Sequence, residues 1–369
     1  MPIDLSIFHK AIKAIEEKRA EHFFSLTGSS NALFLSMLQV PYLLLCCSED
    51  SANEFYSDAV FWSESFGIEK PLLIPPKDDI LRLKNLKSIY STDNRKLITS
   101  VEAALSPIWH KDKFPLLQLV KRTAIDRDLI IETIKNCGYI SASLVSGHGE
   151  FSVRGAILDV FPPEEEFPVR VEFFGDDIES LRYFDTDTQR TIKELKEISI
   201  GPAAEPKEGP NLITILENNI LILNEPSEIK KHYPELNQTI QERRIINFAS
   251  LPLEGEGFSF DIRGHSGFGL LPQERKTIED FVRRVDELKN QYDILIVSPS
   301  EGQAKRLKEL FLEKNLEVPI LKNSIAVGYK DSPVITIGEL SRGFVYQNNI
   351  ILKGRDIFGE KPAFKPIKK

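Results

Sequence analysis

The chain has 369 residues, 41% hydrophobic and 28% charged, the composition of an ordinary folded protein of two to four domains. Its formal net charge of −8 gives no basic field for gathering nucleic acid unspecifically, and three cysteines make neither a disulfide framework nor a metal site. No apolar run reaches the roughly 18 residues that span a bilayer, and the first residues lack a signal-peptide pattern, so a cytoplasmic protein is expected.

Residues 7–18 have helical periodicity. Residues 41–48 read as a buried strand with Cys46 and Cys47 as buried free thiols, and residues 52–66 as a helix whose aromatics recur at helical spacing. Further strands are expected at 71–74 and 96–99, and strands alternating with helices imply a parallel sheet with helices on its faces. Thr27, Gly28, Ser29, Ser30 and Asn31 stand where a phosphate loop would stand in such a fold. A working loop needs a glycine-rich turn and a lysine for the β and γ phosphates. This one has a single glycine and no lysine, so no bound nucleotide or other cofactor is expected. Residues 74–91 hold one tyrosine, too few aromatic faces for a clamp that stacks on bases.

Residues 107–114 read as a linker, and residues 127–137 as a helix with Asp126 as its cap and Gly138 as its stop. Residues 150–190 read as three consecutive strands, the first carrying a bulge or close backbone approach at Gly155. His148 has no nucleophile or second histidine beside it and reads as a turn residue. Residues 203–210 look like a return linker, followed by short apolar runs at 219–223 and 245–248. Residues 255–269 are too glycine-rich to be regular. From residue 272 the pattern resets: helices at 277–291 and 300–314 and strands at 292–298, 318–321, 334–336 and 349–352 describe a compact α/β domain, with Ser300 a helix cap.

The run 169–174 alternates strictly. Val169, Val171 and Phe173 share one face, Arg170, Glu172 and Phe174 the other. A cation, an anion and a bare aromatic on an open sheet face are commonly cross-strand pairs worth a fraction of a kcal/mol each. An exposed phenylalanine beside arginine is also the composition of a protein-binding hot spot.

The stretches HGEFSVRGAILDVFPP, PVRVEFFGDDIESLRYFD and DTQRT closely resemble the second, UvrB-like domain of the bacterial transcription-repair coupling factors, and more distantly UvrB itself. Residues 337–344 and 357–360 resemble the third domain of the same family and the segment that follows it. The resemblance implies an α/β protein in three parts. A discontinuous UvrB-like α/β first domain (1–113 and 202–271) receives an inserted α+β second domain with an antiparallel sheet (114–201), and a small α/β third domain follows (272–369). It also implies a decayed phosphate loop in the first domain.

In that family the second domain binds UvrA, and the resemblance carries Arg154, Arg170 and Phe174 over as contacting residues, with Glu172 and Arg182 in support. RNA polymerase and DNA engage parts of the family beyond this chain. ATP and Mg belong to its motor, whose GKT or GKS and DExH-type signatures this sequence lacks. The chain is thus expected to be an N-terminal fragment or truncated form without enzymatic activity, one that recruits UvrA to stalled RNA polymerase for nucleotide excision repair. The alternative is a weak nucleic-acid-binding or autoregulatory UvrB-like scaffold.

Overall fold

The computed structural model describes residues 5–77, 79–91, 95–241, 243–252, 256–274, 277–321, 333–354 and 357. Residues 358–360, part of a segment singled out above, lie outside them. The chain divides into two units, Met1–Leu72 with Lys96–Ile98 and Asn219–Lys369, and Leu73–Arg95 with Thr99–Asn218. Residues 73–95 and 99–113 thus group with the second unit rather than with the sheet that precedes them.

The first unit holds two sheets. In one, Phe258–Ser259, His22–Phe24, Ile245–Phe248, Ile220–Asn224 and Tyr42–Cys46 lie side by side in that order, followed by residues 96–98. The five complete strands run parallel. Strands from both ends of the unit therefore interleave, which makes the unit discontinuous in sequence. The central strand Tyr42–Cys46 is buried at every position, as its uninterrupted apolar run requires of a strand covered on both faces. Cys46 is buried with it, whereas Cys47 is only half-buried.

Helix Glu49–Phe66 starts three residues earlier than periodicity suggests, because Ser48 and Ser51 form a reciprocal capping box. The glycine-rich stretch expected to be irregular contributes two short strands, Phe258–Ser259 and Ile262–Arg263. Glycine is what permits the first of these to pair: a Cβ on Gly257 would fall 2.5 Å from the carbonyl oxygen of His22 on the neighbouring strand.

The second sheet of this unit has the order Ile262–Arg263, Phe344–Tyr346, Asn349–Lys353, Asp293–Ser298, Val334–Ile337, Ile320–Leu321. Helices Ile278–Leu288 and Glu301–Leu312 pack on it, closing a core around Phe281, Val285, Ile296, Leu307, Phe311 and Ile350. The second helix begins at Ser300, whose hydroxyl accepts from the Gln303 N–H at 3.3 Å.

The second unit is built around a six-stranded sheet in the order Thr191–Glu194, Asp177–Phe184, Val169–Phe174, Ile157–Val160, Glu150–Arg154, Ile140–Ser141, antiparallel except for the last pair. Helix Arg127–Asn136 covers one face. Its cap Asp126 accepts from the N–H groups of Asp128 and Leu129, and its Ile130 and Ile134 join Val169, Val171, Phe173, Leu158 and Leu181 in the core. A separate antiparallel pair, Leu117–Val120 with Glu197–Ile200, adds Leu119 and Ile198.

Gly155 forms no bulge. It opens the two-residue loop of a hairpin, since Arg154 pairs with Ile157, and its φ of +61° is the value the first central position of a type II′ turn demands. What reads as one strand from 150 to 160 is thus two. Residues 74–91, left without a structure by the sequence, contain helix Ile80–Ser91.

Candidate interaction face on the second-unit sheet

The hairpin at Gly155 decides the chemistry of the polar face. It folds Asp159 back beside Arg154 and opposite Arg170, so that Ser152, Asp159, Arg170, Arg182 and Glu194 form one row across five strands. Asp159 is 1% exposed. Arg170 grips it bidentately, with Nε to Oδ1 at 2.7 Å and Nη2 to Oδ2 at 2.8 Å. Arg154 Nη2 reaches the same Oδ2 at 2.8 Å.

One buried carboxylate thus holds two guanidinium groups, that of Arg170 in the planar fork geometry that suits arginine and that of Arg154 through a single nitrogen. The Arg170 guanidinium also donates from Nη2 to Gln189 Oε1 at 2.7 Å and lies 4.2 Å over the Phe184 ring centroid. Its Nη1 donors make no hydrogen bond among the described residues.

The five residues selected from sequence therefore separate into four situations. Phe174 is 77% exposed beside the tight turn Gly175–Asp176. Arg154 is exposed and held from behind. Arg170 shares their face but is only 9% exposed. Glu172 and Arg182 are occupied with each other: Arg182 Nη1 donates to Glu172 Oε2 at 2.7 Å, Nη2 to Oε1, and Nη1 also to the Ser180 hydroxyl. The hydrogen bonds from Arg182 hold the Glu172 carboxyl below the usual range.

Asp159, Gln189 and Phe184 escaped the sequence reading. The available signal for the first was a lone aspartate in the otherwise apolar run Ile157–Val160. His148 is a turn residue: its ring sits 4.0 Å from that of Phe161 and Nε2 hydrogen-bonds the Glu165 carbonyl.

The degenerate phosphate loop lies in the first unit, and its backbone is already engaged. The Ser29 N–H donates to the Arg342 carbonyl at 3.1 Å, the Ser29 carbonyl accepts from Trp62 Nε1 at 3.1 Å, and the Ser30 hydroxyl donates to the Thr27 carbonyl at 2.7 Å. Gly28, with φ +61°, passes so close to residue 343 that a Cβ there would lie 2.4 Å from the Gly343 carbonyl oxygen. Asn31 donates to Asn224 and accepts from the Ala32 N–H.

The segment pressing on the loop is tied down by Asp58, which accepts from the N–H and hydroxyl of Ser341 at 2.6 and 2.5 Å, while Lys353 Nζ donates to the Ser341 carbonyl at 2.9 Å. Burial pushes the Asp58 carboxyl up to about 7 against these hydrogen bonds. The folded chain then keeps this proton across roughly pH 4 to 7 while the unfolded chain releases it, so stability falls as pH rises through that window, by at most about 1.4 kcal/mol per pH unit. Asp58→Asn keeps an acceptor for the Ser341 N–H and puts an amide donor opposite the hydroxyl oxygen in place of the second acceptor, and is expected to flatten this slope. Urea unfolding at pH 5 and pH 7.5 tests it; an unchanged slope in the variant would refute the assignment.

Among the described residues no group of acidic, histidine or cysteine side chains is placed to hold a metal, and no helix is long and apolar enough to cross a membrane.

The family described as the UvrB interaction domain matches residues 117–205, which enclose this sheet and all five selected residues. A transcription-repair-coupling factor of Bacillus subtilis is 43% identical over 222 residues, covering 54% of this chain and 18% of that protein. The one from Myxococcus xanthus is 32% identical over 195 residues, covering 46% of this chain and 16% of that protein. UvrABC system protein B of Clostridium botulinum is 25% identical over 371 residues, covering 87% of this chain and 55% of its own length. The chain spans less than a fifth of these two coupling factors and about half of that UvrB protein. It is thus similar to the transcription-repair-coupling factors and, over more of its length but more distantly, to UvrB, and its residues 117–205 match the family described as the UvrB interaction domain.

Proposed function

We propose that this chain is a UvrA-docking module of transcription-coupled repair. It recruits UvrA through the polar face of the second-unit sheet to a site where RNA polymerase has stalled. The observation that carries the reading is that the UvrB interaction domain match encloses a sheet face on which Phe174 stands exposed and Arg154 is fixed by Asp159.

A phenylalanine side chain has only two rotatable bonds to fix, so little ordering entropy opposes its insertion into an apolar pocket. Arg154, with its guanidinium plane oriented from behind by Asp159, presents its outer edge to a carboxylate of the partner. Arg170 contributes through its Nη1 donors and by stiffening the face. Contacts with RNA polymerase and DNA belong, in this reading, to parts of longer relatives. The loop at residues 27–31 serves as packing against residues 341–343 and turns over no nucleotide: it lacks the lysine, and its Ser29 N–H is engaged by Arg342.

Calorimetric titration of the chain with UvrA tests the proposal. Phe174→Ala is expected to weaken binding by about 2 kcal/mol, roughly 30-fold. Its stability should stay within about 0.5 kcal/mol of the parent, since the side chain touches little in the free protein. Undiminished affinity in the variant, or no binding by the folded parent chain, would remove the assignment.

A further inference from the structure

We propose that Asp159 is the positioning residue of the docking face: it touches no partner, and sets the affinity for UvrA by holding Arg154 and Arg170 on one buried carboxylate. This rests on the UvrA-docking reading above.

Arginine carries large rotamer entropy, and an arginine free in solvent must be ordered at the moment of contact, at a cost to affinity. Here that ordering has already occurred. Asp159 is almost fully buried, and each of its oxygens is taken by a guanidinium nitrogen: Oδ1 by Arg170 Nε, Oδ2 by both Arg170 Nη2 and Arg154 Nη2. A carboxylate so placed has no acceptor capacity directed outward. It neutralises part of the charge of two cations that would otherwise repel each other on one face, and leaves Arg154 more exposed than Arg170. Gln189 forms the second clamp, accepting from Arg170 Nη2 at 2.7 Å while its own amide donates to the Thr186 carbonyl at 2.8 Å. Phe184 supplies the shelf beneath. The partner surface that fits is acidic, with one carboxylate within reach of the outer edge of Arg154 and an apolar recess for Phe174.

The test is titration of UvrA into the parent chain, Asp159→Asn, Arg154→Ala and the double variant. Side-chain Nε–H relaxation of the arginines is measured on the free proteins. Asp159→Asn keeps the shape, loses the charge, and is expected to weaken UvrA binding by about tenfold. Arg154→Ala should then cost less in the Asp159→Asn background than in the parent, and the Arg154 and Arg170 Nε–H groups should become more mobile. A merely structural aspartate would lower the melting temperature but leave the Arg154→Ala penalty equal in both backgrounds.

Equal penalties, or parent-like affinity of Asp159→Asn, would overturn the positioning role while the docking reading stood. No binding by the folded parent would overturn both. If Asp159→Asn fails to fold, Gln189→Ala replaces it. That variant removes only the second clamp, about threefold weaker binding is expected of it, and parent-like affinity would again overturn the inference.

Discussion

Glu205→Ala is expected to destabilise the second unit by about 3–5 kcal/mol, a large share of what a domain possesses. Arg82 is 0% exposed and its partner Glu205 is nearly as deep. Arg82 Nε lies 2.8 and 2.9 Å from the two carboxylate oxygens, and Nη1 donates to the carbonyls of Pro75 and Ala103. Nη2 is buried without a hydrogen-bond partner among the described residues. An arginine cannot neutralise itself by losing its proton, so removing the carboxylate strands a full charge in a medium that solvates it poorly.

The pair itself need not be stabilising. Replacing both members with apolar residues, as in Arg82→Met with Glu205→Leu, should recover most of the loss, since the desolvation of both ions disappears together. Urea unfolding followed by Trp109 emission is a suitable probe, because the Trp109 indole N–H donates to the Ala204 carbonyl immediately beside Glu205. A loss below about 1 kcal/mol for the single variant would show that the ion pair is solvated in a way its burial does not suggest.

Arg170→Glu, the obvious charge reversal for abolishing UvrA binding, is expected to cost about 3–5 kcal/mol of stability as well. It would set a carboxylate against Asp159, which is 1% exposed, with Arg154 its one remaining cation among the contacts described. It would also remove the guanidinium from the Phe184 ring and leave Gln189 Oε1 without that donor. Loss of binding by this variant therefore cannot distinguish a lost contact from a disordered face. Denaturant unfolding beside the titration makes the distinction: the expected result is loss of both. If Arg170→Glu unfolds like the parent, the buried clamp is wrong and Arg170 is a free contact residue. Phe174→Ala carries no such ambiguity, because its ring lies almost wholly in solvent.

The two arginines look equivalent in sequence, each a cation in an alternating strand. Their difference arises from Gly155. In the run from 150 to 160 the apolar content continues past the glycine, and Gly-Ala is a weaker turn signal than the Gly-Asp-Asp that marked the next hairpin. Reading through Gly155 kept Asp159 on the same strand as Arg154, five residues away, where the two could not meet. The hairpin closes that gap, and the register then puts Asp159 directly opposite Arg170. A similar reason hid Arg82. Nothing local in helix Ile80–Ser91 announces that one of its charged residues will be buried, because its partner lies 123 positions away.

The amino-acid sequence by itself determined the alternation of strands and helices in the first domain, the core face of strand Val169–Phe174, the helix caps at Asp126 and Ser300, and the exposure of Phe174. These depend on residue periodicity and on donors and acceptors within a few residues, which are local quantities. Only the tertiary structure decided that the loop at residues 27–31 is closed by residues 342–343, and that Arg170 is held while Phe174 is free. Each of those depends on which distant segments come to share a low-dielectric interior. There a charge must find a partner and a backbone N–H an acceptor, and spacing along the chain does not record which one it finds.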